Sequence, residues 1–157
     1  MNIKEKWVQA LGKPSFEIPE SKLTFEKEFK CDGFCVEVYT QPNGPDTVQR
    51  VFMAIPDNFK KPCPAVAVPF YYAEAMLGFN PETNEKIEKF GDIPMMKHLV
   101  ERGYIVIGGE AYHLTYLKEK PENEKFEFWE MAAKKLIKDN PKWTGMGKLV
   151  SDTKLLI

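Results

Sequence analysis

Two short apolar runs, separated by a segment with helical periodicity, constrain the fold of this chain more than any other feature. Residues 65–72 (AVAVPFYY) and 104–109 (YIVIGG) are almost wholly apolar, which is typical of strands buried on both faces of a parallel sheet. Between them, Ile93, Met96 and Val100 recur at helical spacing. A strand, a helix and a second strand in this order form a right-handed βαβ crossover. The sequence therefore predicts an α/β fold.

Alternating residues upstream predict an antiparallel hairpin before this crossover. Residues 26–40 are predicted as a strand region, in which Phe34, Val36 and Val38 alternate with the side chains between them, and residues 48–55 alternate again. This is the pattern of half-buried strands. Residues 42–45 (PNGP) lie between them and are predicted to form the turn. Pro69 is expected at or after the end of its strand, because proline cannot donate to a central ladder.

The remaining segments are predicted as helices and loops. Residues 126–138 and 148–157 place apolar side chains on one face and are predicted as amphipathic helices, whereas residues 111–124 are predicted as a loop. Asp92 is expected to cap the helix of the crossover. Residues 1–28 are interpreted as a helix and a surface arm, followed by a single domain over residues 29–157.

Length and charge exclude several classes of protein. The chain has 157 residues, which predicts one domain. Lysine and arginine number 22 against 23 acidic residues, so the net charge of −1 gives no basic surface for nucleic acid. No apolar run approaches the roughly 18 residues of a membrane span, and the charged N-terminus does not read as a signal peptide. We expect a cytoplasmic protein with no nucleic-acid or membrane partner.

The inventory of reactive residues limits the chemistry. The odd set of three cysteines is predicted to stay reduced, and the Cys31–Cys35 spacing has no nearby histidine, so no metal site is predicted. No phosphate-binding glycine motif is present, and no cofactor is predicted. No catalytic residue is assigned, because no serine stands in a G-x-S-x-G setting. The three serines are Ser15, Ser21 and Ser151.

Four polar residues on or near the predicted helices are interpreted as structural. Ser151 and Asp152 are neighbours on the last helix and point about 100° apart, so they do not form a catalytic pair and are expected to be capping or solvated. His98 is predicted on a helix surface. His113 is predicted to face solvent or to be hydrogen-bonded in a structural role.

The order of these elements resembles the N-terminal half of bacterial α/β-hydrolases near the acetyl xylan esterase and dienelactone hydrolase families. The likeness extends from about residue 30 onward. It is carried by VFMAIPDN (51–58), KPCPAVAVPFYYA (61–73), KHLVERGYIVIGGEAYH (97–113), EFWEMAAKKLI (127–137) and GMGKLVSDTKLLI (145–157). The resemblance implies a partial α/β-hydrolase fold, in which an N-terminal antiparallel hairpin is followed by parallel strands with flanking helices.

The resemblance also implies a site. In these hydrolases the loop after the third strand supplies a backbone N–H to the oxyanion hole, and the matching donor here is Tyr71 or Tyr72. Glu110, Tyr112 and His113 follow the second apolar strand, whose carboxyl end is expected to line a pocket. The serine elbow, the acid and the histidine of the family are expected beyond Ile157.

We therefore expect a truncated serine esterase-type hydrolase that is inactive as this chain alone. Its parent would hydrolyse a small-molecule carboxylic ester. The alternatives are a non-catalytic oligomerising or binding module, or one half of a two-chain hydrolase. The last predicted helix ends in an apolar stripe at Ile157, which favours a cut within a larger fold. The strand at residues 104–109 is expected at a bare sheet edge, which predicts a homo-oligomer or pairing with a complementing C-terminal half.

Overall fold

One mixed sheet with helices on both faces confirms the predicted α/β fold. The computed structural model describes residues 1–69, 72–87, 94–117 and 126–157. The described strands are β1 (Thr24–Cys31), β2 (Phe34–Gly44), β3 (Thr47–Pro56), β4 (Ala65–Pro69) and β5 (Ile105–Gly109). The described helices are α1 (Ile3–Leu11), α2 (Ala73–Leu77), α3 (Met95–Val100), α4 (Tyr112–Tyr116), α5 (Phe126–Asp139) and α6 (Gly145–Lys154).

The sheet has the strand order β1-β2-β3-β5-β4. Its first three strands form an antiparallel meander, while β4 and β5 are parallel and lie on either side of the α3 crossover. The predicted hairpin and βαβ unit are both confirmed, and Pro69 ends β4 as expected. The strand region predicted at residues 26–40 is divided into β1 and β2 by a turn at residues 32–33. The hairpin turn lies at Pro45 and Asp46 rather than at residues 42–45. The register of β2 shifts between Pro42 and Gly44, and such an irregularity lets a strand accommodate proline.

The strand left at the sheet edge is β4, so the expectation that residues 104–109 form a bare edge is wrong. β5 pairs with β4 on one side and with β3 on the other, where Val51 lies opposite Gly109. The edge position also explains why residues 65–69 are not buried on both faces. Ala65 and Pro69 are exposed, and in this strand only Val68 is buried.

The two edge strands of the described sheet differ in charge. β1 carries Glu26, Lys27, Glu28 and Lys30, and charged side chains on an edge strand discourage pairing with another chain. β4 has the sequence AVAVP and carries no charge. Of these two described edges, β1 is therefore the one whose charges discourage pairing with a further strand.

The main core lies between one face of the sheet and helices α2 and α3. Gly108 of β5 faces this core, and a Cβ atom there would lie only 3.0 Å from the Met96 sulfur. Glycine at this position therefore permits the close approach of α3 to the sheet. The fully buried members of this core include Phe34, Val36, Val38, Phe52, Ala54, Met76, Leu77, Met96 and Val106.

Helix boundaries depart from the sequence predictions at three places. α4 occupies residues 112–116, where a loop was expected. The last helix begins at Gly145, because the Thr144 side chain caps it by accepting from the Gly147 N–H at 2.9 Å. The predicted cap at Asp92 lies outside the described residues. Within the described ranges, no helix has the length and apolar character needed to cross a membrane.

Polar side chains are buried between α6 and the ends of β2 and β3. Asp152 and Ser151 are 4% and 7% exposed, so the expectation that they are capping or solvated is wrong. Lys148 Nζ donates to Asp152 Oδ1 at 2.5 Å and to the Asn43 carbonyl at 2.9 Å. Burial raises the pKa of Asp152 to about 6, and burial likewise lowers the pKa of Lys148. The ion pair and its hydrogen bonds are what allow two charges to lie inside the fold.

Removing one member of this buried pair should destabilise the fold more than removing both. We expect Lys148→Met to lower the free energy of unfolding by about 3–5 kcal/mol, because it leaves Asp152 buried without its cation. The double variant Lys148→Met/Asp152→Leu should recover most of that loss. Urea denaturation measures both, with the exposed Lys154→Met on the same helix as the control. A single variant as stable as the control would contradict this role for the pair.

Candidate functional site

The predicted site residues gather at the carboxyl ends of the parallel strands. Pro69 and Gly109 end β4 and β5 at the same level in the register. Tyr72 is the N-cap of α2, and Tyr112 begins α4 directly after this edge. Ligand crevices of open α/β sheets lie at this edge. Tyr71 lies outside the described residues, so its predicted role stays a prediction.

His113 is enclosed by aromatic rings. Its imidazole is 1% exposed and stacks on Trp129 with ring centroids 3.4 Å apart. Tyr72 and Tyr112 each make an edge contact at 6.0 Å, and Phe128 makes one at 5.8 Å. Neither ring nitrogen has a hydrogen-bond partner within the part of the chain that is described. The expectation of a solvent-facing or hydrogen-bonded His113 is therefore wrong, because α4 turns the residue inward against α5.

Burial determines the charge of the site's aromatic wall. It lowers the pKa of His113 from 6.5 to about 4, so the imidazole is neutral at pH 7. Burial also raises the pKa of the Tyr112 hydroxyl, which stays protonated. The wall is therefore uncharged and apolar around a neutral imidazole. His98, in contrast, is exposed on α3 as predicted.

Glu110 provides the charged side of the site. Its side chain is 10% exposed, and Oε1 lies 3.9 Å from Arg50 Nη1, while its N–H donates to the Arg50 carbonyl at 3.0 Å. Arg50 also binds Glu82 at 2.7 Å, and Glu82 binds Lys27 at 2.8 Å. The hydrogen bond from Lys27 is the main cause that lowers the pKa of Glu82.

Lys27, Arg50 and Glu82 line an open groove of about 490 Å³ beside α4. Sequence reasoning missed Arg50, Lys27 and Glu82. No local pattern distinguishes them, because the registers of β1, β2 and β3 bring Lys27 near Arg50, and Glu82 reaches both from the turn after α2. The groove is lined by Glu26, Lys27, Thr40, Val48, Arg50, Glu82, Leu114, Thr115 and Leu117.

The serines and histidines of the chain are not brought together. Ser15 Oγ donates to the Asp139 carbonyl at 3.1 Å and also lies 2.7 Å from Asn140 Oδ1. Ser21 Oγ donates to the Leu155 carbonyl at 2.7 Å, and Ser151 is buried in α6. No hydrogen bond joins a serine to a histidine among the described residues, which include every serine and both histidines. A serine nucleophile needs such a base within reach.

Metal ligands are also dispersed. Cys31, Cys35 and Cys63 are free and half-buried, and burial raises the pKa of Cys31 to about 12. In the ranges that the structure covers, no three His, Cys, Asp or Glu side chains lie close enough to hold a metal ion. The described site therefore offers a neutral aromatic wall, one carboxylate and one guanidinium.

The enclosed imidazole should make stability depend on pH. Because the folded-state pKa of His113 lies below its unfolded value, its contribution is fully present above pH 6.5 and is lost as the pH falls toward about 4. The loss amounts to about 3 kcal/mol at most. His113→Phe should abolish this component, which urea denaturation between about pH 4 and about pH 7 measures. The control is His98→Phe, and equal profiles for the wild type and His113→Phe would refute the assignment.

Comparison with known proteins agrees with the fold. No protein-family model matches the chain, and no curated protein sequence matches it. It is similar to the crystal structure of a Bacteroides fragilis protein provisionally named an acetyl xylan esterase, with a TM-score of 0.68 and 18% sequence identity. The similarity covers 88% of this chain and 37% of that one. The chain therefore has the α/β fold of the matched part of that protein, and the match spans about 37% of that protein's length.

Proposed function

We propose that this chain is the N-terminal part of a serine-dependent hydrolase of small carboxylic esters. In this proposal the connection after β4 contributes an oxyanion donor, the N–H of Tyr71 or Tyr72. Glu110, Tyr112 and His113 form one wall of the pocket. The nucleophile, the acid and the catalytic base come from residues outside this sequence. The esterase-like fold supports the proposal, as does the meeting of Tyr72, Glu110, Tyr112 and His113 at one edge.

The uncharged outer edge of β4 carries this proposal. The Ile105 N–H donates to the Pro64 carbonyl at 3.0 Å. Because backbone groups alternate in direction along a strand, Val66 and Val68 also face β5, and the N–H groups of Ala65 and Ala67 point away from the sheet. A further strand that pairs with these groups would end beside Pro69 and Tyr72. In α/β-hydrolases the nucleophile lies at the turn that ends such a strand.

In this proposal, the described residues supply only some of the groups that ester hydrolysis needs. Attack on an ester needs a nucleophile with an adjacent base, and hydrogen-bond donors for the oxyanion. The described residues supply the aromatic cluster around His113 and the Glu110 carboxylate, whereas their serine hydroxyls are occupied or buried. His113 is enclosed and neutral, so its proposed role is to shape the pocket and not to act as the base.

The 157-residue chain alone should be catalytically silent. We expect no hydrolysis of p-nitrophenyl acetate above the buffer rate, and no labelling by a serine-selective fluorophosphonate, because no serine contacts a base. Mass spectrometry of the treated protein makes the check, with Ser151→Ala as a control that should behave identically. Stoichiometric labelling of Ser15, Ser21 or Ser151 would show that the chain holds its own nucleophile.

Pairing through β4 should depend on the outward N–H of Ala67. We expect the purified chain to associate, and Ala67→Pro to lower the mass measured by light scattering to that of a monomer. Proline removes the outward N–H but no bond to β5, and edge strands tolerate it. Ala67→Ser keeps the N–H and should associate like the wild type. A wild type that stays monomeric at high concentration would count against an open edge.

The ester-hydrolase proposal is tested most directly by the coding DNA that follows the Ile157 codon. An open frame that predicts a strand and then a G-x-S-x-G motif would support the proposal. The full-length product should then hydrolyse p-nitrophenyl acetate and lose that activity on substitution of the motif serine by alanine. A stop codon at this place, with no complementing open frame adjacent, would favour a binding module that uses the β4 edge.

A further inference from the structure

Two buried glutamines form a short ladder of amide hydrogen bonds beneath α6. Gln41 Nε2 donates to Ser21 Oγ at 3.0 Å and to the Leu155 carbonyl at 2.7 Å. Gln49 Nε2 donates to Gln41 Oε1 at 2.6 Å and to the Asp152 carbonyl at 3.2 Å. These partners fix both amide orientations, because turning the Gln49 amide over would bring its oxygen against two acceptors.

The ladder leaves one acceptor without a donor. Gln49 is 1% exposed, and its Oε1 receives no hydrogen bond from any described residue. Buried side-chain oxygens in native proteins are nearly always satisfied by a protein group or an ordered water. Because the amide orientation is fixed, the missing donor must approach Oε1 from the side away from Gln41.

A small cavity lies against this side chain. Its volume is about 10 Å³, and Gln49, Gly109, Thr153 and Glu110 are among the residues that line it. A Cβ atom on Gly109 would lie 3.0 Å from Gln49 Oε1 and 3.8 Å from Leu156 Cδ1. Glycine at this position therefore leaves open the space beside the unsatisfied oxygen. A volume of this size is about what one water molecule needs.

We propose that this cavity is a binding site for a single water molecule that donates to Gln49 Oε1. The Thr153 hydroxyl, which donates to the Leu149 carbonyl at 2.8 Å, keeps lone pairs that accept the second hydrogen of the water. Buried waters of this kind bridge two or more polar groups. The site joins β3, β5 and α6 directly beneath Glu110, and it is independent of ester hydrolysis.

The test is water–protein NMR on the labelled chain, with a high-resolution crystal structure as the second measurement. We expect a nuclear Overhauser effect between water and the Gly109 Hα protons, and one ordered water within hydrogen-bonding distance of Gln49 Oε1. Gly109→Ala, whose methyl group fills the cavity, should abolish both signals. Ser151→Ala, on α6 but not among the residues that line the cavity, should retain them.

Two results would overturn the proposal. One is a crystal structure in which the amide keeps its two donations and the cavity is empty. The other is a structure in which a protein donor reaches Oε1. Both measurements are made first on the wild type. They therefore test the proposal even if the Gly109→Ala variant fails to fold.

Discussion

The antiparallel pairing of β5 with β3 is the contact on which the rest of this molecule depends. It attaches a two-strand parallel unit to a three-strand meander, with Val51 opposite Gly109 and Ala54 opposite Val106. The same register brings Arg50 to Glu110 and buries Gly108 beneath α3. A shift of one residue would turn every side chain of β5 to the opposite face. The core, the Arg50–Glu110 contact and the charged groove would then be lost together.

Local patterns in the sequence predicted most of the elements but not which strands pair with each other, and they missed α4. Alternation predicted the β2–β3 hairpin, and two apolar runs around a helical segment predicted the crossover. Their order in the sheet was wrong because a short apolar strand looks the same at an edge as at the centre. The choice between β4 and β5 is made by pairing with β3, a contact that is distant in sequence and invisible to periodicity.

Polar residues at the site were the hardest to predict. Asp152 and Lys148 look solvated in the sequence, yet each is buried because the other supplies the opposite charge on the next turn of α6. His113 departs further, since aromatic rings and not hydrogen bonds surround it. The helix that turns it inward, α4, lies within residues 111–124, which the sequence pattern predicted as a loop. The positions of Glu110, Tyr112 and Tyr72 near one edge followed from the parallel-strand rule alone.

The unequal charge of the two sheet edges has a consequence for assembly size. An antiparallel contact between the β4 strands of two copies is isologous, so each copy uses the same surface. Once two copies have paired, neither has a free β4 edge for a third. The result would be a continuous sheet bounded at both ends by β1 strands with their lysines and glutamates. Growth of such a sheet stops at two chains, whereas two uncharged edges would allow open-ended polymerisation into fibrils.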